Sequence, residues 1–141
     1  MKITFGISKD KVLEEVAKST AYVGVAVDAH EKIATVDANE EILASFIEVA
    51  CNDLLLAFGA YAPKVEGLQF ELTIPEGFDK ATTLERLVFE YIVSVVIWKW
   101  LFLHLPEKSV MWEQRASDLK TRIKSTINSR GEVLRRVMRP F

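Results

Sequence analysis

The 141-residue chain is predicted to be mainly α: a four-helix bundle-like domain with a small two-stranded β element. Three observations lead there. Apolar residues recur at helical spacing in four separate stretches, most of them opened by a capping residue. One stretch, residues 87–105, is a nineteen-residue run in which only Glu90 and Lys99 are charged, and it reads as a central helix. Two short segments, near 2–7 and 67–74, alternate polar and apolar residues as half-buried strands do.

"KITFGI" (2–7) is the first strand. Ser8 then offers a cap for a helix beginning near Asp10, with Leu13, Val16, Thr20 and Val23 or Gly24 at helical spacing. Gly24 loosens that pattern, and Asp28 to Lys32 reads as a loop. Asp37 with Glu40 three residues on fits a capping box, with Asp in place of Ser or Thr. The helix it opens carries Ile42, Leu43, Phe46, Ile47, Val49, Ala50, Leu54 and Leu55 on a wide apolar face and ends near Gly59 or Pro63.

In "GLQFELTIPEGF" (67–78), Leu68, Phe70, Leu72 and Ile74 alternate with Gln69, Glu71 and Thr73, and Pro75 stops the strand. Two strands in an otherwise helical chain are expected to pair with each other, because a lone strand leaves backbone groups unsatisfied. Thr82 and Glu85 form a second capping box, opening the helix that contains 87–105, and Pro106 closes it. The last helix, roughly 108–128, has Trp112, Ala116, Leu119, Ile123 and Ile127 as an amphipathic stripe, with Lys120, Arg122 and Lys124 outside it. One domain is therefore expected over 1–130, followed by a basic arm, 131–141.

The nineteen-residue run is long enough to raise the question of a membrane span. Lys99 lies well inside it and Glu90 near its start, and a charge near the bilayer centre costs about 2.5–3.5 kcal/mol on insertion scales. A buried bundle helix accommodates both: Arg86, Glu90, Ser94 and His104 share one sector, and Lys99, on the opposite side, can lay its stem over Trp98 or Trp100 and reach water. A helix apolar nearly all round must be covered nearly all round. What the other helices leave uncovered is expected to be an interface between protomers.

Composition excludes several classes. With 50% hydrophobic and 27% charged residues the chain is neither disordered nor fibrous. A single cysteine, Cys51, forms no intramolecular disulfide and no zinc cluster. The N-terminal apolar run is too short for a signal peptide, so an intracellular protein is expected. The net charge of −2 is unevenly spread: residues 1–106 carry nine basic and sixteen acidic side chains, and 107–141 carry nine and four. An acidic body with a basic end suits contact between copies, or contact with an acidic partner such as DNA. The residues singled out for that contact are Lys120, Arg122, Lys124, Arg130, Arg135, Arg136 and Arg139.

No catalytic motif emerges. His30 and His104 lack a neighbouring nucleophile, and Cys51 sits on an apolar helix face. Among the carboxylates, Glu14/Glu15 and Glu40/Glu41 are adjacent pairs that diverge by about 100° on a helix, and Glu48 with Asp53 shows no metal or acid–base pattern. Glu90, Ser94, Lys99 and His104 diverge too far to line one pocket. No catalytic, metal-binding or cofactor-binding residue, and no cofactor, is expected.

The order of segments carries a resemblance. "KDKVLEEVAKSTAYVG", the acidic "TVDANEEILASFIEVACNDL", the strand "LQFELTIPEGF", the aromatic-rich "LVFEYIVSVVIWKW" and the terminal "RASDLKTRIKSTINSRGEVLRRVMRP" together resemble small structural proteins of tailed phages and prophages, and the helical head–tail connector (neck adaptor) proteins. The resemblance implies a non-catalytic virion assembly component. Its partners would be copies of itself, in a ring, and neighbouring virion proteins, with DNA contact in the lumen and no membrane. Its location would be the bacterial cytoplasm during assembly, or the virion. The alternative expectation is a small helical nucleic-acid-binding or regulatory protein acting through 120–141.

Overall fold

A computed structural model describes residues 1–22, 40–104 and 106–128, with the backbone alone at 21, 22 and 40. Its helices are α1 (Lys9–Tyr22), α2 (Glu40–Ala57), α3 (Ala81–His104) and α4 (Pro106–Ile127), with a 3₁₀ turn at Gly59–Tyr61. The strands are β1 (Lys2–Gly6), β2 (Lys64–Glu66) and β3 (Gln69–Thr73). The expected mainly helical, bundle-like domain is present, but its β element has three strands rather than two, in the antiparallel order β1-β3-β2.

The expected pairing of the two long strands holds, with Phe5 opposite Phe70 and Ile3 opposite Leu72. Because that register puts odd β1 residues over even β3 residues, Phe5, Ile7, Phe70, Leu72 and Ile74 are all buried on one face. The Phe5 and Phe70 rings stack there at 5.1 Å and 13°. The strand that periodicity missed, β2, is only three residues long. It is held to β3 by a two-residue loop, Gly67–Leu68, whose first residue has φ +64° while the second is not left-handed. A positive φ at the first central position alone is the pattern of a type II′ hairpin turn, which favours Gly there. Gly67→Val is expected to destabilise the fold by about 1 kcal/mol or more, since a β-branched side chain is strained at positive φ, and a urea titration would register it as a lower midpoint.

Helix starts follow local chemistry. The Ser8 hydroxyl accepts the Lys11 N–H at 3.3 Å and the Ser8 carbonyl accepts the Val12 N–H at 3.1 Å, so α1 opens where its cap predicts. The buried line of α1 is Val12, Val16 and Thr20, with Leu13 only half-buried. Thr20 turns its hydroxyl back onto the Val16 carbonyl at 2.8 Å, which satisfies it inside the core. The expected cap at Asp37, the Val23–Gly24 end of α1 and the 28–32 loop lie outside the described residues, as does the arm 131–141. Helix α3 begins at Ala81, one residue before the expected cap Thr82, with the Leu84 N–H bonded to the Lys80 carbonyl at 2.9 Å. Pro106 opens α4 rather than merely closing α3, as suits the first turn, where a residue without an N–H forfeits no intrahelical hydrogen bond.

Helix α3 is the hub. It packs on α1, α2, α4 and β1, and twelve of its residues from Leu84 to Leu101 are buried. By length and composition it could cross a membrane, yet 61% of its most apolar window is buried by protein. Lys99 places its ammonium 4.7 Å from the Trp98 ring centre, the snorkelling arrangement expected of a charged residue on an apolar helix. The α4 stripe is also as expected, with Ala116, Leu119, Ile123 and Ile127 buried and Trp112 half-buried.

Candidate functional site

Three of the basic residues singled out from the sequence are described. Arg122 and Lys124 are exposed, and Lys120 is half-buried. Lys120 and Lys124 lie one turn apart on one flank of the buried α4 stripe; Arg122, about 200° round from Lys120, lies on the other. The three therefore do not make one continuous patch. Arg130, Arg135, Arg136 and Arg139 lie outside the described residues.

The polar sector of α3 is divided between core and solvent. Ser94 is 1% exposed, whereas Arg86 and His104 are open to solvent. The His104 imidazole finishes the helix: its Nδ1–H donates to the Trp100 carbonyl at 2.9 Å, and its ring rests 4.1 Å from the indole. A basic side chain bonded to a last-turn carbonyl is a C-terminal capping contact. Both Trp100 and Trp112 bury their indole N–H groups without a hydrogen-bond partner among the described residues.

The feature that sequence reading placed too broadly is the uncovered part of α3. It is confined to the end of the α3–α4 hairpin. Phe102, Leu103, Val110 and Met111 are 57–68% exposed within a few residues of His104 and Pro106, where α3 ends and α4 begins. Trp98 meets Phe102 edge to face at 6.1 Å and continues the apolar surface down the helix. These are large side chains that gain nothing from water. They stand together at one end of the helix pair.

A groove of about 400 Å³ runs between α2 and the β2–β3 turn, lined by Lys9, Glu48, Cys51, Asn52, Leu55 and Leu68 among others. Cys51 is 6% exposed; burial, with Glu48 nearby, pushes its thiol from 9.0 up to about 11. At neutral pH it is a protonated core side chain, the opposite of an activated nucleophile. Across the α2–α3 seam the Tyr91 hydroxyl donates to the Asp53 carboxylate. Burial, the Asp53 charge and that bond together raise Tyr91 from 10.0 to about 12. Among the described residues no three His, Cys, Asp or Glu side chains converge as a metal site.

Both shifts favour the protonated form in the folded state. In the unfolded chain Cys51 and Tyr91 lose their protons near pH 9 and 10; in the folded chain they hold them to about 11 and 12. The stability they contribute is complete below pH 9 and lost as pH rises from 9 to 12. Urea midpoints measured over that range are expected to fall, and Tyr91→Phe is expected to flatten the upper part of the fall.

With the geometry established, comparison adds nothing: no family model, no curated protein and no solved structure matches the chain.

Proposed function

We propose that the chain is a non-catalytic assembly component, an oligomeric adaptor of the head–tail connector type, working through contacts between protomers and with neighbouring virion proteins. The observation that carries the reading is the apolar hairpin end. Phe102, Leu103, Val110 and Met111 lie at the end of the two helices that pack most extensively on each other. Acidic residues dominate the body and basic residues the C-terminal third. Unlike ends of successive protomers can therefore attract, as in a head-to-tail ring. The alternative, nucleic-acid binding through 120–141, has less support, because Arg122 stands apart from Lys120 and Lys124.

Size-exclusion chromatography with light scattering over a range of concentrations tests the adaptor reading. The chain is expected to self-associate, and Phe102→Asp with Met111→Asp is expected to leave a monomer with unchanged helix content. Both residues are already largely exposed, so the substitutions cost the fold little. A wild-type chain that stays monomeric at high concentration, alone and with the proteins encoded beside it, would overturn the reading. Duplex DNA binding with a steep salt dependence that falls in Arg135→Ala/Arg136→Ala would favour the alternative.

A further inference from the structure

Helix α2 turns a second apolar surface outward. Ile42, Val49 and Leu56 are 41%, 39% and 81% exposed. Seven-residue spacing keeps them within about 40° of one another round the helix, in a line about 21 Å long. On one side of the line come the exposed Ser45 and Asn52 and, beyond them, Glu41 and Glu48; on the other side Asp53 is engaged by Tyr91, and residues 40–57 contain no Lys or Arg. The surface thus carries an apolar line with acidic side chains along one margin. Pairing with the same helix of a second copy would set carboxylates against carboxylates, which is unfavourable. Its occupant must be apolar and basic.

The chain contains such a segment. Residues 129–141 carry Arg130, Arg135, Arg136 and Arg139 against Glu132, interleaved with Val133, Leu134, Val137 and Met138. The fold also fixes where that segment departs. At the end of α4 the Tyr61 hydroxyl donates to the Asn128 side-chain oxygen, and Tyr61 follows α2 by only four residues. The chain therefore leaves α4 beside the C-terminal end of α2, the end at which Leu56 stands out. Thirteen residues reach up to about 45 Å when extended, twice the length of the exposed line.

We propose that the outward face of α2, the Ile42–Val49–Leu56 line with Glu41 and Glu48 along one margin, is the docking surface for residues 129–141 of the same chain. The proposal is independent of the assembly reading, since it concerns one protomer. Docking there covers the apolar line and sets arginines against carboxylates. It also makes the arm unavailable to a neighbour until it is displaced.

Photo-crosslinking of the full-length chain tests this. With benzoylphenylalanine in place of Leu56, and separately in place of Val49, irradiation is expected to join α2 to residues 129–141 in a product migrating as a single chain. Arg135→Glu with Arg136→Glu is expected to abolish most of that product, whereas Arg122→Glu leaves it unchanged. Both crosslinking positions are already exposed, so neither substitution disturbs the core. Three results would overturn the proposal: no product from either position, products mapping only elsewhere, or two-chain products joining isotopically heavy and light copies. The last would mean that the arm of a second copy fills the surface. Oligomeric state is read separately by light scattering, so failure here and failure of the assembly reading are told apart.

Discussion

Ile97→Asp is expected to abolish folding. Ile97 is 0% exposed and lies on α3 between Val96, also 0%, and the half-buried Trp98. Asp at this position forfeits about 1.5–3 kcal/mol of apolar burial. It also requires either an unpaired buried carboxylate, at several kcal/mol, or protonation of the group at neutral pH. A domain of this size has about 5–15 kcal/mol in all. Because α3 carries the contacts of every other helix, no part of the bundle survives its loss. Far-ultraviolet circular dichroism should show the helical signal gone at 25 °C. Leu103→Asp, in the same helix but at a residue 60% exposed, should leave a cooperative thermal transition. A folded Ile97→Asp protein would mean that α3 is not the centre of the core.

Phe70→Ala is expected to cost about 3–5 kcal/mol, the range for removing a large aromatic from a well-packed site. Phe70 is 1% exposed, stacks on Phe5, and stands opposite Val65 in the β2 pairing. One ring thus joins all three strands on the face turned to the core. Its removal leaves a cavity that neither a short β2 nor the helices can close. The urea midpoint should drop by 1 M or more, with m in the range of about 1–3 kcal/mol/M. Phe5→Ala combined with it should cost less than the sum of the two, because the same stacking contact is removed twice. Thr73→Ala, on the solvent face of the same strand, should stay within about 0.5 kcal/mol of wild type.

The fold was legible where a local rule decided it. Ser8, the alternation in β1 and β3, the α4 stripe and the Lys99 snorkel each follow from neighbours within one or two turns, and each is where the residues place it. Reading failed where a choice between equally apolar positions was needed. The wide apolar face of α2 included Ile42 and Val49, yet Leu43, Ile47, Ala50, Cys51 and Leu54 are the buried set. Only one side of that arc meets α3. The three-residue β2 is too short for periodicity to register, and exists because the Gly67 turn lays it against β3.

The candidate surfaces divide in the same way. That α3 would be left partly bare followed from its composition, since a girdle of large apolar residues exceeds what three other helices can cover. That the bare part is its last turn, joined by Val110 and Met111 from α4, is decided by where the rest of the chain packs on α3. Arg122's separation from Lys120 and Lys124 is in principle readable from 100° steps round a helix. What it does not reveal is that the end of α4 meets the turn that follows α2, a placement made by Tyr61 and Asn128, sixty-seven residues apart.

By itself, then, the sequence determined the four helices and the two long strands, that those strands pair, that one apolar helix is central, and that charge is divided between body and C-terminus. Only the tertiary structure decided which edge of each apolar arc is covered and which is left to solvent. The physical reason is range. Helical and strand periods, caps and turns arise from backbone geometry over a few residues, whereas burial depends on partners brought from distant parts of the chain. A surface line such as Ile42, Val49 and Leu56 has the same hydrophobicity as a core line until its neighbours are known.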